Sequence, residues 1–338
     1  MKRTIVCWGE LLLRLSAPGH ERWLQSPRFE VHVGGAEANV AVGLAGFGHP
    51  VAMLGAVADN ALGAAALGEL RRAGVDTSRM RRAPGRMGLY FFEQGALQRP
   101  SEVLYDRADS AFARLPATAW DWPGLLAGAG HLHVSGITPA LGMESAQAAL
   151  DAVRTARSLG LGVSVDGNYR PKLWQAWGGD APGLLRALMA EADGLFVNHR
   201  DLGLALGIEL DRGEPVASFA AAAEAAFAAF PHLRWMAATT RGAEATQSQS
   251  LGAVMIERGG ALNVAPPQRL DGIVDRIGGG DAFAAGILHG RSREWSTGEV
   301  LAFGLAAGAY KHSQPGDALR ASEADIRAWQ AGGADVRR

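Results

Sequence analysis

Short apolar runs recur along the chain and are interleaved with longer stretches in which small and apolar residues fall at helical spacing. The runs are VAMLGAV at residues 51–57, HLHVSGI at 131–137, LGVSVDGN at 161–168, GLFVNHRD at 194–201 and LRWMAATT at 233–240. Among them lie ANVAVGLAGFG, ESAQAALDAVRTARSLG and PGLLRALMAEA, which read as helices. Near-continuous apolar strands separated by helices predict an α/β fold, a mostly parallel central sheet with helices on both faces. Polar and glycine residues follow the apolar runs, at the strands' carboxyl ends, where open α/β sheets bind ligands. At the amino end, TIVCWGELLLRL reads as the opening strand.

Two regions break this rhythm. Residues 10–34 and 86–115 alternate apolar and polar positions with turn chemistry between them, which predicts a few antiparallel strands forming a small flap. Arg99 and Pro100 sit in its expected turn. The whole reads as a single domain over 1–330, followed by a tail, AGGADVRR at 331–338, that is expected to fray.

Composition narrows the class. A chain of 338 residues, 48% hydrophobic and 20% charged, can bury a sizeable core. Its formal net charge of -1 supplies neither a global basic field for nucleic acid nor a polybasic membrane anchor. Glu10 and Arg14 interrupt the first apolar run before a signal-peptide core could form, and Glu224 marks the alanine-rich stretch 218–230 as a packed helix. Cys7 is the only cysteine, so no intrachain disulfide or cysteine-based zinc site exists, which suits a reducing compartment. The expectation is a cytoplasmic protein without nucleic-acid or membrane partners.

The densest candidate chemistry is DRIGGGDAFAAG at 275–286. Three consecutive glycines, Gly278, Gly279 and Gly280, precede Asp281 and a helix of small residues. The loop is not a Walker A sequence, since no GK[ST] follows, and it lacks the glycine spacing of a dinucleotide fingerprint. Glycine N–H groups at a helix amino end can receive negative charge developing on a phosphoryl group, and the same helix end favours ionised Asp281. A carboxylate beside an anion hole can take a hydroxyl proton during phosphoryl transfer. Taken alone, such a loop is equally a glycine-rich turn with a capping aspartate. A second glycine site, VGGAEANVAVGLAGFG at 33–48, sets Gly35 and Asn39 at another helix start. It reads either as close helix-to-sheet packing or as backbone approach to a polyol. HLH at 131–133 puts two imidazoles on one face of a strand, a spacing seen in metal-dependent hydrolases, but no further His, Asp or Glu set supports a metal centre. Trp120, Trp122, Trp174 and Trp177 lack basic neighbours in the pattern of a stacking platform and read as packing anchors.

Together, GGAEANVAVGLAGFG and DRIGGGDAFAAGIL resemble the paired signatures of the ribokinase-like (PfkB) carbohydrate kinases, and their order and separation make the pair far more specific than either motif. AVADNALG at 56–63 and AGVDTS at 73–78 are similar to family connections, so the resemblance spans nearly the whole chain. LYFF with YDRADSA, HVSGITPAL at 133–141 and DGNYRPKLW at 166–174 look most like the 2-keto-3-deoxygluconate kinases of that family. The resemblance implies a three-layer αβα sandwich with a small β-sheet lid, which would allow two copies to pair through their lids as a homodimer. It implies ATP and Mg2+, a small-molecule sugar-acid substrate, and phosphorylation of its 6-hydroxyl.

Carried over residue by residue, Asp281 matches the catalytic base and Gly278, Gly279 and Gly280 the anion hole and phosphate contacts. Gly35, Asn39, Tyr90, Tyr105, Arg107 and Arg170 match sugar-acid contacts, and Asp317 matches an acidic residue that closes the substrate site. An arginine fork suits a carboxylate, which favours an acid over a neutral sugar. Asn168, Arg170, Asn198, Thr240, Arg241 and Gly242, with Gly278 and Gly280, fall on nucleotide positions, Thr240 to Gly242 on a nucleotide loop. The family's NxxE motif is here Asn198, His199, Arg200, Asp201, whose shorter carboxylate still permits a magnesium contact through water. Arg276 stands where a small residue is usual. Readings left open are a kinase for fructose, ribose, a nucleoside or the galacto epimer, a sugar-acid binding protein without catalysis, and the hydrolase that HLH would signal.

Overall fold

The computed structural model describes residues 3–210, 213–245 and 247–332. Its strands are β1 (Thr4–Trp8), β2 (Leu12–Ser16), β3 (Glu30–Gly34), β4 (Val51–Leu54), β5 (Ala56–Ala58), β6 (Arg81–Ala83) and β7 (Gly88–Glu93) in the first third. They continue with β8 (Glu102–Asp106), β9 (Ala129–Ser135), β10 (Gly162–Asp166), β11 (Gly194–Phe196), β12 (Trp235–Ala245), β13 (Ser248–Glu257) and β14 (Asn263–Asp271). The helices are α1 (Ala36–Gly46), α2 (Ala61–Arg72), α3 (Trp122–Leu125), α4 (Met143–Ser158), α5 (Pro171–Trp177) and α6 (Ala181–Ala190). After these come α7 (His199–Leu206), α8 (Pro215–Ala229), α9 (Gly279–Ser292), α10 (Thr297–Lys311) and α11 (Glu323–Ala331).

Eight strands form one sheet in the order β14-β13-β12-β11-β10-β9-β1-β4. Pairing is parallel from β4 through β12 and antiparallel at β13 and β14. The period-two direction of strand side chains divides the core. Ile5 and Cys7 join a cluster with residues of α1, α2, α9 and α10, whereas Val6 and Trp8 join one with α4, α6, α7 and α8. Both faces are therefore covered, which is why the central strands carry so few polar residues. No helix among the described residues is long and apolar enough to cross a membrane.

A four-stranded sheet, β3-β2-β7-β8, draws its strands from the two alternating regions. Its inner face packs Leu12, Tyr90 and Phe92 near Ile277, while Val31 and Leu104 on the outside are about half exposed. Opposite fates of alternate residues explain the alternation in sequence.

Four expectations change. The lid is not antiparallel throughout, since its central pair β2–β7 runs parallel. TIVCWGELLLRL is two strands rather than one, because the chain leaves β1 at Gly9 and enters the lid as β2. The Glu37 carboxylate, held by the Ser135 N–H and the Thr138 hydroxyl, occupies the space a Cβ on Gly9 would need, so a side chain there would have to displace it. VAMLGAV likewise splits at Gly55 into β4 and β5, and β5 pairs with β6 outside the large sheet. Ala331, expected in a fraying tail, belongs to α11, which starts with a capping box at Ser322; residues 333–338 lie outside the described residues.

Candidate active site

The carboxyl ends of the parallel strands and the inner face of the lid enclose one cavity of about 760 Å³. Each element delivers its polar residues for a local reason. β10 ends at Asp166, and Asn168 follows with φ 39, a left-handed turn that asparagine tolerates, anchored by Nδ2 donating to Ser135 Oγ at 2.8 Å. Asn198 caps α7, its Oδ1 accepting from the N–H groups of Arg200 and Asp201 at 2.8 and 3.1 Å, and its Nδ2 donates to Asp201 Oδ2 at 3.1 Å. Arg170 is the N-cap residue of α5 and is exposed.

Gly278 is the N-cap of α9 with φ 79, and a Cβ there would run into the Asp317 carbonyl. That close approach accounts for a glycine at this position. Asp281, the third residue of α9, caps nothing: its Oδ2 accepts from Asn39 Nδ2 at 2.7 Å. The two glycine motifs thus meet through residues 242 positions apart. Gly35, with φ 136, packs against the Glu10 carbonyl and starts the helix that carries Asn39.

Burial dominates the electrostatics. It pushes the Asp281 carboxyl up to about 6, against the Asn39 hydrogen bond, with Asp317 adding repulsion. The helix amino end expected to favour its ionised form is outweighed, so Asp281 is mainly a carboxylate only above about pH 6. Burial, then Asp281 and Asp201, raise Asp166 to about 8, and burial raises Asp201 to about 6. Burial lowers the Arg241 guanidinium, and the charges of Arg170 and Arg276 lower it further.

At the lid end, charges are paired. Arg107 donates through Nε to Glu10 Oε2 at 2.6 Å, with both side chains buried, and Ser110 holds the other Glu10 oxygen. Arg14 from β2 bridges Asp275 at 2.5 Å and Asp317 at 3.0 Å, and Tyr90 donates its hydroxyl to Asp317 at 2.6 Å. Asp275 in turn accepts from the N–H groups of Ile277 and Gly316 at 2.9 and 3.1 Å. The lid is thereby tied to both segments flanking the site.

Of the residues expected there, Gly35, Asn39, Tyr90, Tyr105, Arg107, Asn168, Arg170, Asn198, Asp201, Thr240, Arg241, Gly278, Gly280, Asp281 and Asp317 all line the cavity. Gly279 and Gly242 do not line it: Gly279 packs against the His312 ring, and Gly242 lies within β12. The expected nucleotide loop is in fact the β12–β13 hairpin, because residues 235–243 pair antiparallel with 249–257. Sequence reasoning missed Arg14 and Asp166. A charged residue inside the apolar LLLRLS signalled the first, and a carboxylate ending a central strand signalled the second. Arg276, left without a role, lines the cavity and donates through Nη2 to the Ser248 carbonyl at 3.1 Å.

The competing motifs settle into the core. His131 Nε2 and His133 Nδ1 each lie 2.8 Å from Ser164 Oγ, and burial lowers them to about 4 and about 3, so both are neutral strand residues. Trp120 and Trp122 pack on Trp8, the latter at 5.2 Å between centroids, and Trp174 is buried beside Trp177. Among the described residues no group of three or more His, Cys, Asp or Glu side chains could hold a metal by itself. Magnesium needs only one or two carboxylates when phosphate oxygens and water complete its shell, and the crowded, half-buried Asp166 and Asp201 fit that role.

Comparison with known proteins converges on the same chemistry. A family model described as pfkB family carbohydrate kinase matches residues 2–324. The chain is 33% identical over 319 residues to 2-dehydro-3-deoxygalactonokinase of Haloferax volcanii, covering 94% of this chain and 93% of that protein. It is 29% identical over 323 residues to 2-dehydro-3-deoxygluconokinase of Bacillus subtilis, covering 94% and 92%. The crystal structure of 2-dehydro-3-deoxygluconokinase from Thermotoga maritima superposes with a TM-score of 0.92 at 35% identity, covering 98% of this chain and all of that one.

Proposed function

Since the chain belongs to the pfkB family of carbohydrate kinases, we propose that it transfers the terminal phosphoryl group of ATP to the 6-hydroxyl of 2-keto-3-deoxy-D-gluconate. The observation that carries this reading is the Asn39–Asp281 contact, which sets a half-buried carboxylate between the glycine loop and a lid bearing Tyr90, Tyr105 and Arg107. Asp281 takes the proton of the attacking hydroxyl, held by Asn39 and ionised above about pH 6. The backbone of Gly278 and Gly280 at the head of α9 receives the charge on the transferring group. Arg107 faces the substrate carboxylate, the Glu10 bond engaging its Nε, and Arg170 serves both that carboxylate and the nucleotide phosphates. Asn168, Asn198, Thr240 and Arg241 line the nucleotide side. Asp166 and Asp201 would hold magnesium through water, and the ion would supply positive charge against the phosphates.

The galacto epimer of the same acid is a second reading, favoured by the likeness to the Haloferax enzyme. Both epimers present the same carboxylate and terminal hydroxyl, so the residues above serve either. The test is ADP release with 2-keto-3-deoxygluconate, 2-keto-3-deoxygalactonate, fructose and ribose. Higher kcat/KM on a keto acid than on either neutral sugar supports the reading, and the faster epimer names the substrate. Preferred turnover of fructose or ribose overturns it.

A further inference from the structure

We propose that Arg276 is a phosphate-binding residue, the third guanidinium of a cluster that holds the nucleotide's polyphosphate chain over the glycine loop. The proposal rests on the kinase reading above and deepens it. Three elements bring the cluster together: Arg170 at the N-cap of α5, Arg241 in β12, and Arg276 in the segment entering α9. All three line the same cavity as Gly278 and Gly280. The Arg241 Nη2 lies 3.9 Å from where a Cβ on Gly280 would stand, so its guanidinium sits directly beside the loop.

Arg276 is held in place by its Nη2 hydrogen bond to the Ser248 carbonyl on β13, and both Arg170 and Arg276 are close enough to press on Arg241. Asp166 and Asp281 offset part of this crowding, and an anion with several charges relieves the rest. A sugar acid supplies one carboxylate, whereas a nucleotide triphosphate spreads charge over several planar-fork acceptors that suit arginine. The loop itself, all glycine before Asp281, contributes only backbone donors. Arg276, on the segment entering α9 and lining the cavity, adds a side-chain charge to those backbone donors.

Binding of ATP, AMP and inorganic tripolyphosphate is measured by titration calorimetry on wild type, Arg276→Ala and Arg276→Lys without sugar acid. Steady-state KM values for ATP and the sugar acid are measured beside it. Arg276→Ala is expected to weaken ATP and tripolyphosphate about tenfold and AMP less than about twofold, with the sugar-acid KM moved less than about twofold. Arg276→Lys, which keeps the charge and loses the fork, falls between. Equal losses for ATP and AMP, or no loss, overturn the proposal and leave Arg276 as a brace for the hairpin. Should Arg276→Ala not fold, the ratio of ATP to AMP binding in Arg276→Lys decides on the same criterion. Failure of the kinase reading looks different: wild type would bind ATP and phosphorylate no sugar acid.

Discussion

The two ends of the cavity hold their charges in opposite ways. At the lid end each buried guanidinium faces a carboxylate, Arg107 on Glu10 and Arg14 on Asp275 and Asp317. At the glycine-loop end like charges crowd as well: Arg170 and Arg276 press on Arg241, and Asp281 and Asp201 on Asp166, offset only in part by Asp166 and Asp281 acting on Arg241 and by Arg170 acting on Asp166. The first arrangement is a scaffold, in which charges fix one another and so fix the shape offered to the substrate. The second is reactive, because groups moved from their ordinary protonation respond most to an incoming polyanion and cation. Positioning and chemistry are thus divided between the ends, and Asp281 stands where they meet.

Perturbing one end should leave the other end's signature intact. The largest effect is expected from Asp281→Asn, which should lower kcat by about a thousandfold while KM for ATP and sugar acid change less than about threefold. Stopped-flow or coupled ADP assays read this, and undiminished turnover would remove Asp281 from the chemistry. Next, Arg107→Ala strips the partner from buried Glu10 and should cost about 3 kcal/mol of stability in urea unfolding. Adding Glu10→Gln should restore much of that stability but none of the sugar-acid affinity. A single variant as stable as wild type would mean the lid end is not a scaffold.

A smaller effect is expected at Asp166. Its folded carboxyl, raised to about 8 from an ordinary 3.8, holds its proton more tightly than the unfolded chain does. Its stabilising contribution is therefore full below about pH 4 and lost as pH rises through about 8. Asp166→Asn should accordingly raise Tm by roughly 4 °C at pH 8 and leave it unchanged at pH 4, without nucleotide or magnesium. Scanning fluorimetry at both pH values checks this, and a variant less stable at pH 8 would contradict the crowding of carboxylates at this end.

The contrast also explains what could be read from sequence. The glycine-loop end was legible because its backbone demands leave marks: Gly278 must admit the Asp317 carbonyl, Gly35 the Glu10 carbonyl, and Asn168 a left-handed turn. The parallel sheet was legible because strands buried on both faces have no polar alternation. The lid's charge pairs were not, since Glu10 and Arg107, or Arg14 and Asp275, are brought together by folding across 97 and 261 positions, and no local pattern links them. Glu10 and Arg14 counted there only as interruptions of an apolar run. The β12–β13 hairpin was placed as a loop by the family resemblance: Thr240 closes the apolar run LRWMAATT, but Arg241 and Gly242 carry no apolar mark of a strand, although backbone pairing of 240–242 with 250–252 makes them one. Burial around Asp281 escaped for a similar reason, as the sequence displays its helix but not the walls that desolvate it.

The central claim is that the Asp281 carboxylate, raised by burial, takes the acceptor's proton. The most direct test is the pH dependence of kcat/KM for the sugar acid between pH 5 and pH 9, in wild type, Asp201→Asn and Asp281→Asn. Because the base must be ionised, activity should fall as pH drops through about 6, the position to which burial moves both Asp281 and Asp201. The fall should persist in Asp201→Asn and vanish from the residual activity of Asp281→Asn. A wild-type profile flat across that range, or a fall that survives Asp281→Asn, would contradict it.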